Sequence, residues 1–372
     1  MISLIKERNF IPMKFPGCKR FAALIFFMFF ISWKPAGNTE VTQVDLAFCI
    51  DLSASTNGML NDVRNRMWSI ANGILQKNEQ TELRIAVVGY GRPSFGSGDG
   101  FVKVLAELSN EFDRSSYDLF QLKAMIEKGD QFVPNALFET FRKLKWSNDP
   151  AAEKMVFLIG NGSVYTGSIN LADLCEEYKK NNISINTVFV SQMKRVISQM
   201  AGYRKIATET GGKFYIMDAS SRQVINKSPQ IPQRVLSLND SLNKTFMFYS
   251  KDAAERNKFF YETDKNVMRS GNEYFYSRLY YKMSKHYVEG YEPYDLTSYI
   301  LKYDKMPERI NLNFLSSSEK TMNISEIEKH ARTKASDRLR LNEEIKNLFS
   351  SMGKNSSPVD TLLDSFVLGS YR

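Results

Sequence analysis

One carboxylate and two hydroxyls, Asp51, Ser53 and Ser55, stand at alternate positions directly after the apolar run 44–50. This D-x-S-x-S spacing offers hard oxygen donors from a single short loop. Such a set suits Mg²⁺ or Ca²⁺, admits Mn²⁺, and is a poor match for zinc or copper. The same residue types also begin helices, because their side-chain oxygens accept the N–H groups that a first turn leaves unpaired. The elements around the loop have to separate a cation ligand from a helix cap.

The run before Asp51 reads as a buried strand, and the segments after it alternate in period. Met59, Val63, Met67, Ile70, Ala71 and Ile74 recur at helical spacing and predict a helix over 59–77. Residues 83–88 read as a buried strand closed by the turn signal Gly89-Tyr90-Gly91-Arg92-Pro93. Residues 101–108 read as a further strand, antiparallel at the sheet edge, and helices are expected near 117–127 and 134–145. The strongly apolar segment 154–160 is a strand running into Asn161-Gly162-Ser163. A helix over 170–181, a strand over 183–190, and a helix ending at Gly211-Gly212 before a short strand complete the series. Strands alternating with helices imply a doubly wound α/β fold, a mostly parallel six-stranded sheet covered on both faces. On such a sheet ligands bind outside the carboxyl ends of the strands, which is where Asp51 falls.

D-x-S-x-S after a first strand, with this order of segments, resembles the metal-ion-dependent adhesion site of von Willebrand factor type A domains, which have a Rossmann-like fold. The resemblance spans roughly residues 42–235. It implies a bound Mg²⁺ or Ca²⁺ held by Asp51, Ser53 and Ser55, with one coordination position open for an acidic side chain of a protein partner. It also implies ligands from two later loops. The middle loop, 128–136, resembles a Gly-Gly-Asp-x-Pro-Glu-Ala variant, which points to Asp130. In the later loop Asn161 stands where the family carries an aspartate. An amide oxygen can coordinate a hard cation but adds no charge, so weaker binding than in a complete site is expected. A plain Asn-Gly turn is the competing reading of Asn161.

The chain begins with basic residues followed by an apolar run of 13 residues, 21–33. That is short for a membrane span and suited to a signal-peptide core. Residues 1–37 are therefore expected to direct export, leaving no integral span after cleavage, with an uncleaved anchor as the alternative. The formal net charge is +9, from 50 basic and 41 acidic side chains. Without residues 1–37 there remain 44 basic and 40 acidic side chains, a net +4. No basic run is interleaved with stacking aromatics, so a nucleic-acid partner is not indicated.

Catalytic motifs are missing from the sequence. There is no G-x-S-x-G elbow, no P-loop and no dinucleotide fingerprint. The glycine-rich 96–100 lies between two strands and reads as a hairpin connection. His286 and His330 stand alone, and Cys49 and Cys175 read as buried thiols. The protein is thus expected not to be an enzyme. The alternatives are an assembly module whose degraded site binds no cation and, less favoured, a metal-dependent hydrolase.

Residues 228–240, with two prolines, read as the end of the first domain (38–235) or as a linker. Beyond them, 236–372 is expected to be a helical extension. Eleven of the 18 tyrosines fall between Tyr249 and Tyr303. They could form a binding surface, but packing between helices is the preferred reading, since exposed aromatic clusters are uncommon. Asp304-Lys305-Met306-Pro307-Glu308-Arg309 and the charged helix after it resemble the tail of certain exported bacterial type A domain proteins. That helix is expected over 324–352, with Ile327, Ala331, Ala335, Leu339, Ile345 and Leu348 forming its apolar stripe.

Overall fold

The computed structural model describes residues 42–53, 56, 59–122, 130–191, 197–218, 231–352, 367, 369 and 370. The expected export segment 1–37 and Ser55 lie outside the described residues. The described residues belong to one compact unit.

Six strands form one sheet: β1 (Gln43–Asp51), β2 (Glu82–Tyr90), β3 (Val102–Ser109), β4 (Glu153–Gly160), β5 (Ile183–Ser191) and β6 (Phe214–Asp218). Their order is β3-β2-β1-β4-β5-β6, and every pairing is parallel except β2 with β3. The chain builds outward from β1 through β2 to β3, then returns to build β4, β5 and β6 on the other side. The winding therefore reverses between β1 and β4. Loops leaving these two strands depart to opposite faces and open a crevice at their carboxyl ends. Asp51 ends β1, and Asn161 comes directly after β4.

Strand periodicity separates the two faces. Leu46, Phe48, Ile50, Ile85, Val87, Phe157 and Ile159 point to one core, while Ala47, Cys49, Ala86, Val88, Val156 and Leu158 point to the other. Both faces are apolar because both are covered, as a parallel sheet requires. The second face is covered by α3 (Val133–Lys143), α4 (Leu171–Lys180) and α5 (Ile197–Glu209). The first is covered by α1 (Met59–Lys77), which brings Trp68, Ile70 and Ile74, and by α2 (Phe112–Gln121).

Outside α1 and α2 the same core continues into the second half of the chain. It takes in α6 (Gln233–Asn243), α7 (Ala253–Ser270), α8 (Asn272–Lys282), α9 (Lys285–Tyr291) and the end of α11 (Ile324–Ser351). A satellite core joins α10 (Leu296–Tyr303) to the start of α11. The tyrosines Tyr274, Tyr276, Tyr281, Tyr287 and Tyr291 are all buried there, so these rings are packing rather than surface.

Three sequence expectations are corrected. The first helix after β3 begins at Phe112, not near 117, because Phe112, Ser115, Ser116 and Leu119 form its buried face. Residues 233–240 are helical rather than connecting chain: Val235, Leu238 and Leu242 recur at helical spacing and are buried. In α11 Leu339 is 56% exposed, and Leu341 and Phe349 are buried instead. The buried face of α11 also carries a charge, since Arg338 is almost wholly covered. Its guanidinium donates to Asp295 Oδ2 at 2.8 Å, Ser298 Oγ at 2.9 Å and Thr245 Oγ1 at 2.8 Å, and stacks on Phe246. A buried arginine so paired is tolerated where a lone charge would not be.

Candidate metal centre

The last residue of β1 puts a carboxylate at the centre of the crevice. Asp51 is fully buried. Its Oδ1 accepts the Ser53 N–H at 2.9 Å, which folds the loop back on the strand end. Thr56 tightens the same turn, its hydroxyl donating to the Asp51 carbonyl at 2.5 Å and lying 3.2 Å from the Ser53 carbonyl. These bonds close the loop on itself: an aspartate oxygen accepts the N–H two residues on, and the threonine hydroxyl donates back to the strand end. They leave one oxygen over. Asp51 Oδ2 is buried and has no hydrogen-bond partner among the described residues.

That oxygen is costly as it stands, because a buried acceptor without a partner forfeits its hydration. Burial pushes the Asp51 carboxyl above the ordinary carboxylate range, against the opposing pull of Ser53, the Asn161 N–H and the Thr56 hydroxyl. Beneath it lie the fully buried tyrosines Tyr90 and Tyr203. Their phenols are raised by burial first, and the Asp51 charge adds to this. Nothing cationic among these groups compensates the carboxylate.

The remaining expected ligands occupy different positions around this carboxylate. Ser53 is buried beside Asp51. Ser55 lies outside the described residues. Asn161 brings its backbone N–H toward Asp51, and its side-chain nitrogen donates to the Val190 carbonyl at 3.3 Å, tying the β4 loop to the end of β5. Asp130 is exposed, and it is the next residue, Gln131, that reaches Ser53, with Nε2 donating to Oγ at 2.5 Å. Sequence reasoning missed Thr56, Gln131, Tyr90 and Tyr203. Thr56 continues the hydroxyl-rich loop and was open to detection. The tyrosines arrive from β2 and α5, and no local pattern marks them.

The side chains gathered at this strand end are a carboxylate, Asp51, and the hydroxyls of Ser53 and Thr56, with the amide of Gln131 on Ser53. Together with an unpaired buried carboxylate oxygen, they fit a hard divalent cation. No cluster of three or more histidine, cysteine or acidic side chains that could hold a metal ion occurs among the described residues. Cys49 and Cys175 are free and buried, their thiols pushed up to about 12 mainly by burial.

No protein-family profile and no curated protein matches the sequence. Among solved structures the chain is similar to the SpRpn10 VWA domain, at 16% identity and a TM-score of 0.37, over 51% of this chain and 96% of that one. It is similar to a von Willebrand factor type A protein from Catenulispora acidiphila at 16% identity and TM-score 0.31, over 47% of this chain and 38% of that one. Proximal thread matrix protein 1 of the mussel byssus, with a zinc-occupied MIDAS motif, is matched at 16% identity and TM-score 0.36, over 50% of this chain and 44% of that one. These likenesses concern the fold alone.

Proposed function

We propose that the sheet domain captures a protein partner through a divalent cation held at the carboxyl ends of β1 and β4. The observation that carries this reading is Asp51 Oδ2, a buried carboxylate oxygen without a partner at the point where the winding of the sheet reverses. Asp51, Ser53 and Ser55 would hold Mg²⁺ or Ca²⁺, directly or through water, with Asp130 and Asn161 as the ligands expected from the neighbouring loops. A hard cation there would supply a fixed positive charge at a partly desolvated rim. An acidic side chain of a partner is the group such a charge attracts.

Export to the cell surface or the surroundings, directed by residues 1–37, belongs to the same proposal. No helix among the described residues is long and apolar enough to cross a membrane. The protein is proposed to bind without turnover.

A second reading, an assembly module whose site binds no cation, is favoured by Asn161, a neutral residue in the loop after β4 where a carboxylate would add charge. Calorimetric titration of residues 38–372 with Mg²⁺, Ca²⁺, Mn²⁺ and Zn²⁺ separates the two. Binding that Asp51→Ala removes supports the cation reading, and Asn161→Asp should then tighten it by adding a charge. A folded wild type that binds none of the four ions would leave the assembly reading.

A further inference from the structure

Gln131 lies across the mouth of the Asp51 site, in a slot shaped for it by two other loops. Its Nε2 donates to Ser53 Oγ at 2.5 Å. On the β4 side, a Cβ added to Gly162 would lie 2.6 Å from Gln131 Cβ and 3.1 Å from its Oε1. On the β2 side, a Cβ added to Gly91 would lie 3.6 Å from Gln131 Cγ and 3.2 Å from Asp51 Oδ1. Side chains are thus missing on both flanks where Gln131 passes. Ser53, which Gln131 holds, gives its own N–H to Asp51 Oδ1, the other oxygen of the carboxylate whose Oδ2 is buried without a partner among the described residues.

A glutamine amide has two ends of nearly equal shape and opposite hydrogen-bonding character, and a half-turn about its last torsion exchanges them. With nitrogen toward Ser53 it supplies a donor to a hydroxyl oxygen. With oxygen toward the crevice it supplies a neutral hard ligand. The neighbouring Asp130 is exposed, and its charge is best kept in water.

We propose that Gln131 is the second-loop residue of this cation site and acts through both ends of its amide: the nitrogen holds Ser53 when the site is empty, and the oxygen becomes a neutral ligand when a cation enters. This inference rests on the cation reading above and assigns the second-loop role to Gln131 in place of Asp130. It gives the site one formal charge, from Asp51, with amides from Gln131 and Asn161 on either side.

The test is titration of residues 38–372 with Mg²⁺ and Ca²⁺ in wild type, Gln131→Leu, Gln131→Glu and Asp130→Ala, with thermal melts to confirm folding. Side-chain amide NMR of the wild type is recorded through the same titration. Gln131→Leu keeps the bulk and removes both ends; a tenfold or greater weakening is expected. Gln131→Glu should tighten the cation, Asp130→Ala should leave it unchanged, and the Gln131 amide resonances should move on loading.

Tighter binding in Gln131→Leu would show a mere stopper and overturn the proposal. Loss of binding in Asp130→Ala with none in Gln131→Leu would return the role to Asp130. Should Gln131→Leu fail to fold, no tightening in Gln131→Glu together with unmoved amide resonances would equally overturn it. Binding that Asp51→Ala abolishes but Gln131→Leu does not touch would sink this inference alone. A folded wild type that binds no cation would sink the cation reading as well.

Discussion

Arg278 of α8 holds its guanidinium 4.6 Å from the ring centre of Trp68 of α1, so the helix that leaves the Asp51 loop is clamped by the second half of the chain. The same guanidinium donates through Nε to Asp264 Oδ1 at 2.6 Å and through Nη1 to Asp113 on α2. Asp113 also accepts the Tyr287 hydroxyl at 2.7 Å and that of Tyr291. Lys282 donates to Asp264 Oδ2 at 3.0 Å and to Asn239 Oδ1 at 2.9 Å. Two acids and two bases are thus buried together, joining α2 to α6, α7, α8 and α9.

Removing the hub should be severe. Arg278→Leu leaves Asp113 without its cation and Asp264 with only Lys282. Breaking a buried ion pair from one side costs about 3–5 kcal/mol. A drop of that size in the denaturant unfolding free energy is expected. A loss below about 1 kcal/mol would show that water reaches the network and replaces the arginine.

Lys282 gives a pH signature. Burial, opposed by Asp264, lowers its ammonium to about 8. An unfolded lysine holds its proton to about 10.4. Above pH 8 the unfolded lysine therefore binds more protons than the folded one, and the Lys282 contribution to stability rises with pH, against the buried thiols Cys49 and Cys175, whose contribution falls as the unfolded thiols ionise. The gain should approach about 2 kcal/mol by pH 9.5, before the tyrosines of the unfolded chain ionise. Denaturant melts of wild type and Lys282→Met between pH 7.5 and 9.5 isolate this contribution as the difference between their slopes, the variant's lying lower. A Lys282→Met slope equal to or above that of the wild type would exclude a depressed lysine.

Asp51→Asn tests the electrostatic state of the empty site. The carboxyl is raised, chiefly by burial, so folding favours its protonated form. The folded chain binds the proton more tightly than the unfolded one. Stability therefore falls as pH rises from the unfolded value through the folded one, and the penalty is fully present above it. Removing the charge in cation-free buffer at pH 7 should raise the melting temperature, by roughly 2–4 °C for each kcal/mol relieved. The same change should remove cation binding. A lower melting temperature without cation would mean that the ionised carboxylate is needed to hold the loop.

Gly162→Ala probes the slot around Gln131. A methyl there collides with Gln131 Cβ at 2.6 Å and approaches its carbonyl oxygen at 3.2 Å. A cost of about 1–3 kcal/mol is expected from such overpacking. Gln131→Gly removes the atom in closest conflict, so the double variant should be more stable than the two single losses predict. Strict additivity in a double-mutant cycle would place Gln131 away from Gly162 in solution.

Local pattern alone identified most of the framework. Alternating and helical periodicity marked β1, α1, β2, β4, α4 and β5 to within a few residues, because burial on one or two faces is written into neighbouring positions. The antiparallel edge strand was legible from the turn before it, and Asp51 from its place after an apolar run. The buried ionic groups were not, since Asp113 and Arg278 stand 165 positions apart and each looks like a surface charge in its own segment. Arg338 fits the helical stripe of α11 between Ala335 and Leu341, but only the partner carboxylate at Asp295 makes a buried charge tenable there. Which of Asp130 and Gln131 turns toward Ser53 likewise depends on space left by Gly91 and Gly162 in other loops. Sequence determines what each segment can bury by itself. Only the tertiary structure decides which polar groups find partners there, because that choice is made between residues that meet only after the chain has folded.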